Sequence, residues 1–323
     1  MTKIVPPCRQ LFISMYHYTR DLTHSRYPQI KGLDRSLFEM QLKFFKNNFN
    51  VVRMEDVIKA VLNDVELPQN ALLLTFDDGY IDNFTVAFPL LKKYGFQGSF
   101  FIPGKTFTEN ILLDVNKIHF ILASAKIDEL VKEVKSMLVE NREEYNLPSI
   151  DELWDKYAVA NRFDDKDVVF CKRILQTAIP EKLRNKAASV LFEKFVGVRE
   201  SSFARELYMD ADQIRVMKEN GMFIGLHGYD HYWLGHLPEE QMHKDIDRAL
   251  DVMAEFIDPD CWVMNYPYGN SSENVVEHIQ AKGCVLGLTT EVRTADLAKD
   301  NRFLLPRLDC NDFPPKSEGY KSK

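Results

Sequence analysis

The sequence predicts an α/β fold, a distorted (β/α) barrel of parallel strands with a helical insertion. Short apolar runs typical of buried strands alternate with amphipathic segments at both ends of the chain, which is the pattern of parallel strands covered by helices. A long stretch between them, rich in Lys, Glu and Leu, shows helical spacing only. We therefore predict a discontinuous barrel from residues 1–105 and 209–311, a helical insertion over 106–208, and a disordered tail over 312–323.

The overall composition excludes several classes of protein. The 323 residues include 45% hydrophobic residues, enough for a sizeable core, and carry a net charge of −7. Because no basic stripe is present, a nucleic-acid partner is not expected. No apolar run reaches about 18 residues and the first residues lack the features of a secretory signal, so we expect no transmembrane segment and a cytoplasmic location. The five cysteines contain no Cys-x-x-Cys pair, which favours reduced thiols.

The first part of the barrel is predicted to contain four strands and three helices. The strands cover residues 11–18, 51–53, 71–76 and 98–102, and the helices cover residues 36–49, 54–62 and 82–94. In the first helix, Phe38, Leu42 and Phe45 recur at helical spacing and Ser36 can cap the N-terminus. The polar residues 19–34 are predicted to form a loop.

The insertion is predicted to be helical throughout, because apolar residues such as Leu130, Val134 and Leu138 recur at helical spacing. Its aromatic residues favour a small core over a binding surface; they are Trp154, Tyr157, Phe163 and Phe170.

The alternation of strands and helices resumes after the insertion. Predicted strands cover residues 222–226, 261–264 and 284–288, and predicted helices cover residues 209–218, 238–256 and 272–281. The last apolar stretch covers residues 304–309. The sequence does not predict the oligomeric state.

Two adjacent carboxylates follow the predicted strand over residues 71–76. Neighbouring side chains on a strand face opposite ways, so Asp77 and Asp78 cannot serve the same role unless the strand breaks at Gly79. Taken alone, this motif also fits an acidic strand-to-helix turn in which one Asp caps the following helix.

Two histidines favour the interpretation as a metal site. His227 and His231 are spaced i and i+4, which places both rings on one face of a helical turn. Two histidines with one carboxylate are a common ligand set for a catalytic divalent metal, with a fourth position open for water. Because active sites of parallel barrels gather at the C-terminal ends of the strands, we expect these groups to meet there.

Three motifs in this sequence are similar to those of a known family. They are 75–80 (TFDDGY), 227–231 (HGYDH) and 266–269 (YPYG). They resemble the first three motifs of the polysaccharide deacetylase family, which includes chitin, xylan and peptidoglycan deacetylases, and they occur in the same order. The resemblance covers residues 10–105 and 205–310, without the insertion. It implies a distorted barrel and metal-dependent hydrolysis of an N-acyl group on a sugar.

The resemblance also implies roles for individual residues. Asp78, His227 and His231 would hold one divalent metal ion; Zn²⁺ suits these ligands, and Co²⁺, Ni²⁺ or Fe²⁺ would also fit. Asp77 would be the general base that takes a proton from the attacking water. The metal and the backbone N–H of Tyr268 would stabilise the tetrahedral oxyanion.

The sequence departs from the family pattern at two places. Many members have an arginine before the Pro-Tyr-Gly stretch that orients the base, where this chain has Asn265 and Tyr266. Many members also have a late histidine as general acid, whereas His278 lies inside a predicted helix. The residues that remain candidates for the acid are Arg307, Asp309, His17 and His236, and His17 also fits a core histidine. The predicted catalytic residues are thus Asp77, Tyr268 and Arg307, and the predicted substrate contacts are His17, Tyr80, Tyr266, Pro267 and Trp233.

The leading hypothesis is a metal-dependent deacetylase that acts on an N-acylated amino sugar or a glycan precursor inside the cell. A deformylase of an N-formyl amino sugar is a close variant with the same chemistry. A second hypothesis is a catalytically idle relative that binds carbohydrate. A third is a metal-dependent phosphoesterase, although the chain lacks the additional ligands of a two-metal site.

Overall fold

The computed structural model describes residues 9–161 and 164–323, which form two compact units. The barrel unit comprises the residues up to Asp21 together with Gly32–Asn110 and Glu206–Lys323. The helical unit comprises Leu22–Lys31 and Ile111–Arg205. Within the described part of the chain, no helix has both the length and the hydrophobicity needed to span a bilayer.

The strands of the described residues all lie in the barrel unit. They are β1 (Gln10–Tyr16), β2 (Thr19–Arg20), β3 (Leu33–Asp34), β4 (Asn50–Val51), β5 (Ala71–Phe76), β6 (Ser99–Ile102), β7 (Phe223–Leu226), β8 (Trp262–Asn265), β9 (Cys284–Leu288), β10 (Ala295–Asp296) and β11 (Leu308–Asp309).

The α-helices occur in both units. They are α1 (Arg35–Asn48), α2 (Met54–Leu62), α3 (Phe88–Tyr94), α4 (Gly104–Thr108), α5 (Asp114–Ser124), α6 (Ile127–Glu140), α7 (Ile150–Tyr157), α8 (Lys166–Arg173), α9 (Glu181–Val196), α10 (Glu200–Leu207), α11 (Ala211–Glu219), α12 (Glu239–Met253) and α13 (Glu273–Ala281).

The main sheet is parallel and curves back on itself. Its strands follow the order β1, β5, β6, β7, β8 and β9, while β4 pairs with β5 and β10 lies antiparallel to β1. Residues 305–309 join the two edges, because Leu305 bridges to Leu288 in β9 and β11 pairs with β1. This topology confirms the predicted distorted barrel.

Alternate residues of the strands face two separate cores, as the period of two requires. The inward set packs with α2 and includes Leu11, Ile13, Leu73, Phe101, Val263 and Leu286. The outward set packs against the surrounding helices and includes Leu72, Leu74, Phe100, Ile224 and Met264. Inward-facing residues recur at every second position, and this alternation continues to the ends of the strands. Asp77 after β5, His227 after β7 and Asn265 in β8 therefore also face inward. The sheet thereby delivers three polar side chains to one end of the barrel.

The helical unit has a core of its own. Phe203 packs edge-on against Phe120 and Phe192, with ring centroids 4.6 and 5.4 Å apart. Of the aromatic core predicted for the insertion, Trp154 packs against Phe170 at 4.7 Å, and Tyr157 is half-buried. The fourth predicted member, Phe163, lies outside the described residues.

The C-terminal residues differ from the expected disordered tail over 312–323. Phe313 is fully buried, Tyr320 stacks on it with centroids 5.3 Å apart, and both rings contact Phe49. The Nζ of Lys323 also donates to Asp312 at 2.8 Å. The expectation is therefore corrected: the Pro- and Lys-rich composition suggested disorder, but two aromatic side chains anchor the segment to the barrel unit.

Candidate active site

A backbone turn separates the two adjacent carboxylates. Asp77 keeps the inward direction of β5, whereas Asp78 has φ of 70° and Gly79 has φ of 66°. A Cβ on Gly79 would lie 2.8 Å from a methyl carbon of Ile102, so a side chain there would meet both strain and crowding. The break in the strand allows Asp77 and Asp78 to point at different partners. The alternative interpretation of this motif, a turn in which one Asp only caps the following helix, is therefore wrong.

The side chains of Asp78, His227 and His231 converge at buried positions. The Oδ1 atom of Asp78 lies 3.3 Å from the Nε2 atoms of both histidines, and one ligand atom from each residue falls within a 4.8 Å cluster. The two histidines lie on a loop that reverses at Gly228 (φ 69°), so the predicted helical turn is wrong although the predicted proximity is correct.

The chemistry of these atoms fits a divalent metal ion. Among the described residues, Asp78 Oδ1 has no hydrogen-bond partner although it is buried, which is costly unless another ligand occupies it. The Nδ1 of His227 hydrogen-bonds the backbone oxygen of Asn265 at 2.5 Å, which leaves the Nε2 lone pair directed at the cluster. Three protein ligands with an open position are typical of catalytic zinc sites.

The electrostatic environment keeps the ligands in the protonation states that metal binding requires. Burial raises the pKa of Asp78, but the two imidazoles that face its Oδ1 atom at 3.3 Å outweigh burial and hold the pKa well below its usual value. Burial lowers the pKa of His231, and this effect exceeds the opposing attraction of Asp78. The carboxylate is therefore ionised and the imidazole neutral near neutral pH.

Asp77 lies beside this cluster and is held by two side chains. Arg307 donates to both of its carboxylate oxygens at 2.8 Å, and Asn265 Nδ2 donates to Oδ1 at 2.7 Å. The Nε2 of His17 lies 3.8 Å from Oδ2. Burial raises the pKa of Asp77, but the Arg307 guanidinium outweighs burial and lowers it overall. The arrangement thus presents an ionised, fixed carboxylate next to a candidate metal site.

Comparison with known proteins agrees with this geometry. The sequence matches the polysaccharide deacetylase family over residues 64–142 and 155–286. The chain belongs to the polysaccharide deacetylase family.

Individual relatives of the family are distant. The protein YxkH of Bacillus subtilis (strain 168), named for the same deacetylase family, is 32% identical over 98 residues, which is 30% of this chain and only 33% of that protein. The Streptococcus pyogenes deacetylase PplD, solved in complex with acetate, has a TM-score of 0.58 and 17% identity and covers 98% of this chain and 97% of its own. IcaB from Ammonifex degensii has a TM-score of 0.55 and 18% identity, with 96% of both chains covered. These likenesses show a shared fold.

Arg307 binds Asp77 although it lies outside the three motifs. Its side chain is fully buried, and its Nε donates to the backbone oxygen of Thr289 at 2.8 Å. A guanidinium does not release its proton in a protein. The prediction of Arg307 as a candidate acid is therefore corrected: it is a positioning residue for Asp77. Asn265, noted in the sequence only as a departure from the family, is a second.

Three of the predicted substrate contacts are buried. Tyr266 is fully buried and its hydroxyl donates to the backbone oxygen of Phe303 at 2.9 Å, so it belongs to the outward core. Pro267 is also buried. Tyr80 is fully buried and its hydroxyl donates to Asp78 Oδ2 at 2.5 Å. These three predictions are corrected: Tyr80 orients a candidate metal ligand, and the other two support the fold.

Trp233 and Tyr268 form part of an aromatic stack. The two rings are parallel with centroids 4.3 Å apart, and the ring of His236 is also parallel to Trp233, at 5.6 Å. Trp233 already stacks on two rings of the protein, which favours packing under the turn over stacking on a sugar ring, and its predicted substrate contact stays a prediction. Tyr268 has φ of 58° and its ring meets His231 edge-on, so its backbone lies near the candidate metal ligands.

The other residues considered as the general acid differ in their distance from Asp77 and in their contacts. His278 lies in α13, where its Nε2 is 2.9 Å from Asp247 and its ring stacks on His243. The carboxylate of Asp309 accepts the backbone N–H of Asn311 and thus caps a turn. His17, at the end of β1, is the histidine that approaches Asp77, and its side chain is 40% exposed.

Proposed function

We propose that the protein is a metal-dependent deacetylase that removes an N-acyl group, most often N-acetyl, from an amino sugar or glycan precursor. One observation carries the proposal: the Asp78, His227 and His231 cluster lies beside an ionised Asp77 that is fixed by Arg307. Membership of the polysaccharide deacetylase family supports the reaction class. The acetate in the PplD complex and the name of the Aggregatibacter actinomycetemcomitans de-N-acetylase support an acetyl group.

The metal site would consist of Asp78, His227 and His231, and Zn²⁺ suits these ligands best, with Co²⁺, Ni²⁺ or Fe²⁺ as alternatives. When bound, such an ion would polarise the amide carbonyl and lower the pKa of its bound water to about 7. Tyr80 holds the second oxygen of Asp78, so only Oδ1 faces the two imidazoles. The orientation of the Asp78 carboxylate towards the two imidazoles is therefore fixed without a bound ion.

Asp77 would act as the general base. Its lowered pKa keeps it ionised at neutral pH, and the contacts of Arg307 and Asn265 fix its orientation towards the attacking water. In a tetrahedral intermediate the negative oxygen requires donors, and we assign the backbone N–H of Tyr268 to this role.

His17 would act as the general acid that protonates the departing amine nitrogen. It lies 3.8 Å from Asp77, and its side chain is 40% exposed and therefore open to solvent. This assignment accounts for the missing late histidine, because a histidine from the first strand reaches the same end of the barrel. A cytoplasmic location for the substrate stays a prediction from the sequence.

Metal stoichiometry tests the proposal without knowledge of the sugar. We expect about one Zn²⁺ per chain in the wild type after loading, and its loss in Asp78→Ala and His227→Ala. His243→Ala, which changes a half-buried histidine of α12, is the matched control and should retain the metal. A wild type that binds no divalent metal would contradict the proposal and favour a carbohydrate-binding protein without activity.

A second assay identifies the acyl group. The metal-loaded protein is incubated with N-acetylated amino-sugar oligosaccharides and with N-formyl amino sugars, and released acetate and formate are measured separately. Acetate release that disappears in Asp77→Asn, with the metal retained, is the expected result. Release of formate alone would identify the deformylase variant. Wild-type turnover in Asp77→Asn would show that the base is assigned to the wrong residue.

A further inference from the structure

The loop between the two candidate metal histidines is held by its backbone on two sides. The N–H groups of Tyr229 and Asp230 donate to Oδ2 and Oδ1 of Asp245, each at 2.9 Å. The carbonyl oxygens of Gly228 and Tyr229 accept from the N–H groups of Gly104 and Lys105 at 3.0 and 3.1 Å. Donors and acceptors of the loop are thus fixed by different elements, α12 and the start of α4.

Asp245 is buried and fits the loop closely. Its exposed fraction is only 6%, and both of its carboxylate oxygens are occupied by the loop. A Cβ on Gly228 would lie 3.0 Å from Oδ2 of Asp245, so a side chain at this position would crowd the carboxylate. Gly228 also has φ of 69°, which favours glycine for a second reason. The carboxylate of Asp245 therefore packs closely against the loop.

The two histidines are held in different ways. The ring of His227 is fixed by the hydrogen bond from Nδ1 to the backbone oxygen of Asn265. The Nδ1 of His231 is buried and has no hydrogen-bond partner among the described residues. Metal-binding histidines usually have an outer partner on the second ring nitrogen, which fixes the orientation of the ring. Within the described part of the chain His231 lacks this partner, so its position depends on its backbone, which has φ of 58°, and on the packing of its ring against Tyr268.

We propose that Asp245 is a positioning residue that presets His231 for metal binding by clamping the loop that carries it. The inference rests on the proposed function, because it requires the metal site assigned there. The carboxylate touches no ligand and no reacting atom. Asp245 restrains the backbone of Tyr229 and Asp230 instead, and this restraint takes the place of the ring hydrogen bond that His231 lacks.

The test compares Asp245→Ala and Asp245→Asn with Asp247→Asn. Asp247 lies on the same helix, pairs with His278 and Lys282, and is therefore a matched carboxylate that does not contact the loop. The dissociation constant for Zn²⁺ is measured by competition with a chelator, and the melting temperature of each metal-free protein is measured separately. Outer-shell substitutions typically weaken metal binding by about 10–100-fold, and we expect this for Asp245→Ala. Asp245→Asn keeps one acceptor oxygen and should show a smaller loss, while Asp247→Asn should match the wild type.

Amide hydrogen exchange gives a second readout that does not require the metal. In the metal-free protein, the amides of Tyr229 and Asp230 should exchange faster in Asp245→Asn than in the wild type or Asp247→Asn. This readout keeps the proposal testable if Asp245→Ala does not fold. Equal Zn²⁺ affinity and equal exchange in Asp245→Asn would overturn the inference while the proposed function stands. A wild type that binds no Zn²⁺ would overturn both.

Discussion

Arg307 and Asp77 illustrate at the scale of single residues how a short motif depends on a distant partner. The sequence shows two adjacent aspartates, and strand alternation predicts that they face different ways. It does not show that Arg307 binds both oxygens of Asp77 from a position 230 residues later. That contact follows from the closure of the barrel by residues 305–309, which no local pattern reveals. The separate directions of the two aspartates were therefore predictable, whereas the cause of the lowered pKa of Asp77 was not.

Replacement of Arg307 should change the pH dependence of the reaction. Arg307 is the strongest of the groups that lower the pKa of the buried Asp77, and in Arg307→Met burial, which raises the pKa, is opposed only by His17 and His227. Because Asp77 acts in its ionised form, the acidic limb of the rate–pH profile should move to higher pH. Loss of one partner from a buried ion pair also costs about 3–5 kcal/mol of unfolding free energy, so Arg307→Lys provides a milder variant.

The control for this experiment is Arg302→Met, since Arg302 is an exposed arginine on the same segment and lies over the ring of Phe303. Rate–pH profiles of the three variants are compared with that of the wild type under identical metal loading. An unchanged acidic limb in both Arg307 variants would show that Asp77 is not the group that titrates in the reaction.

His17 should be required for turnover but not for metal binding. Loss of a general acid typically reduces rates by about 10²–10⁴-fold, and we expect a fall of this size in kcat for His17→Gln. Metal content should be unchanged, because His17 contacts Asp77 and is not among the three ligands. His236→Gln is the matched control, since this exposed histidine stacks on Trp233. Wild-type turnover in His17→Gln would remove His17 as the acid.

The strand β8 illustrates at the scale of elements why some site residues could not be predicted. The sequence predicts the strand and the polar residues after it, but it does not fix which of Asn265 and Tyr266 faces the interior. A shift of one residue exchanges the two faces of a strand. Val263 belongs to the inward core, so Asn265 also points inward and Tyr266 points outward. The resemblance to the family's third motif favoured Tyr266, and the alternation favours Asn265.

Tyr266→Phe should therefore affect stability and leave substrate binding unchanged. The variant keeps the buried ring but removes the hydroxyl that donates to the backbone oxygen of Phe303. An unsatisfied buried acceptor costs about 1–3 kcal/mol, which urea unfolding can measure. KM and kcat should equal those of the wild type, because the side chain does not reach the site. A large rise in KM without a change in stability would return Tyr266 to the substrate contacts.

At the scale of the whole molecule, a change in sequence periodicity revealed the helical region but not its full extent. The predicted insertion covered residues 106–208, and the compact helical unit includes Leu22–Lys31 in addition to Ile111–Arg205. Within that unit, Tyr27 packs against Phe120 and Phe203 with centroids 5.0 and 5.7 Å apart. A short polar loop gives no signal of such contacts, because its partners lie about ninety or more residues away along the chain.

The division into units predicts that the metal site survives loss of the helical unit. All ligands, the base and its positioning residues lie on strands or loops of the barrel unit, which has its own inward and outward cores. We expect a chain in which a flexible linker replaces Ile111–Arg205 to bind one Zn²⁺ and to lose it in Asp78→Ala. Because the deletion exposes apolar residues of the remaining loop, Tyr27→Ser and Ile30→Ser are included. The linker length is varied, and Zn²⁺ content and circular dichroism are measured for each length. A folded chain without Zn²⁺ at every length would mean that the helical unit contributes to the site, whereas retained Zn²⁺ with lost turnover would assign it to the binding of the saccharide.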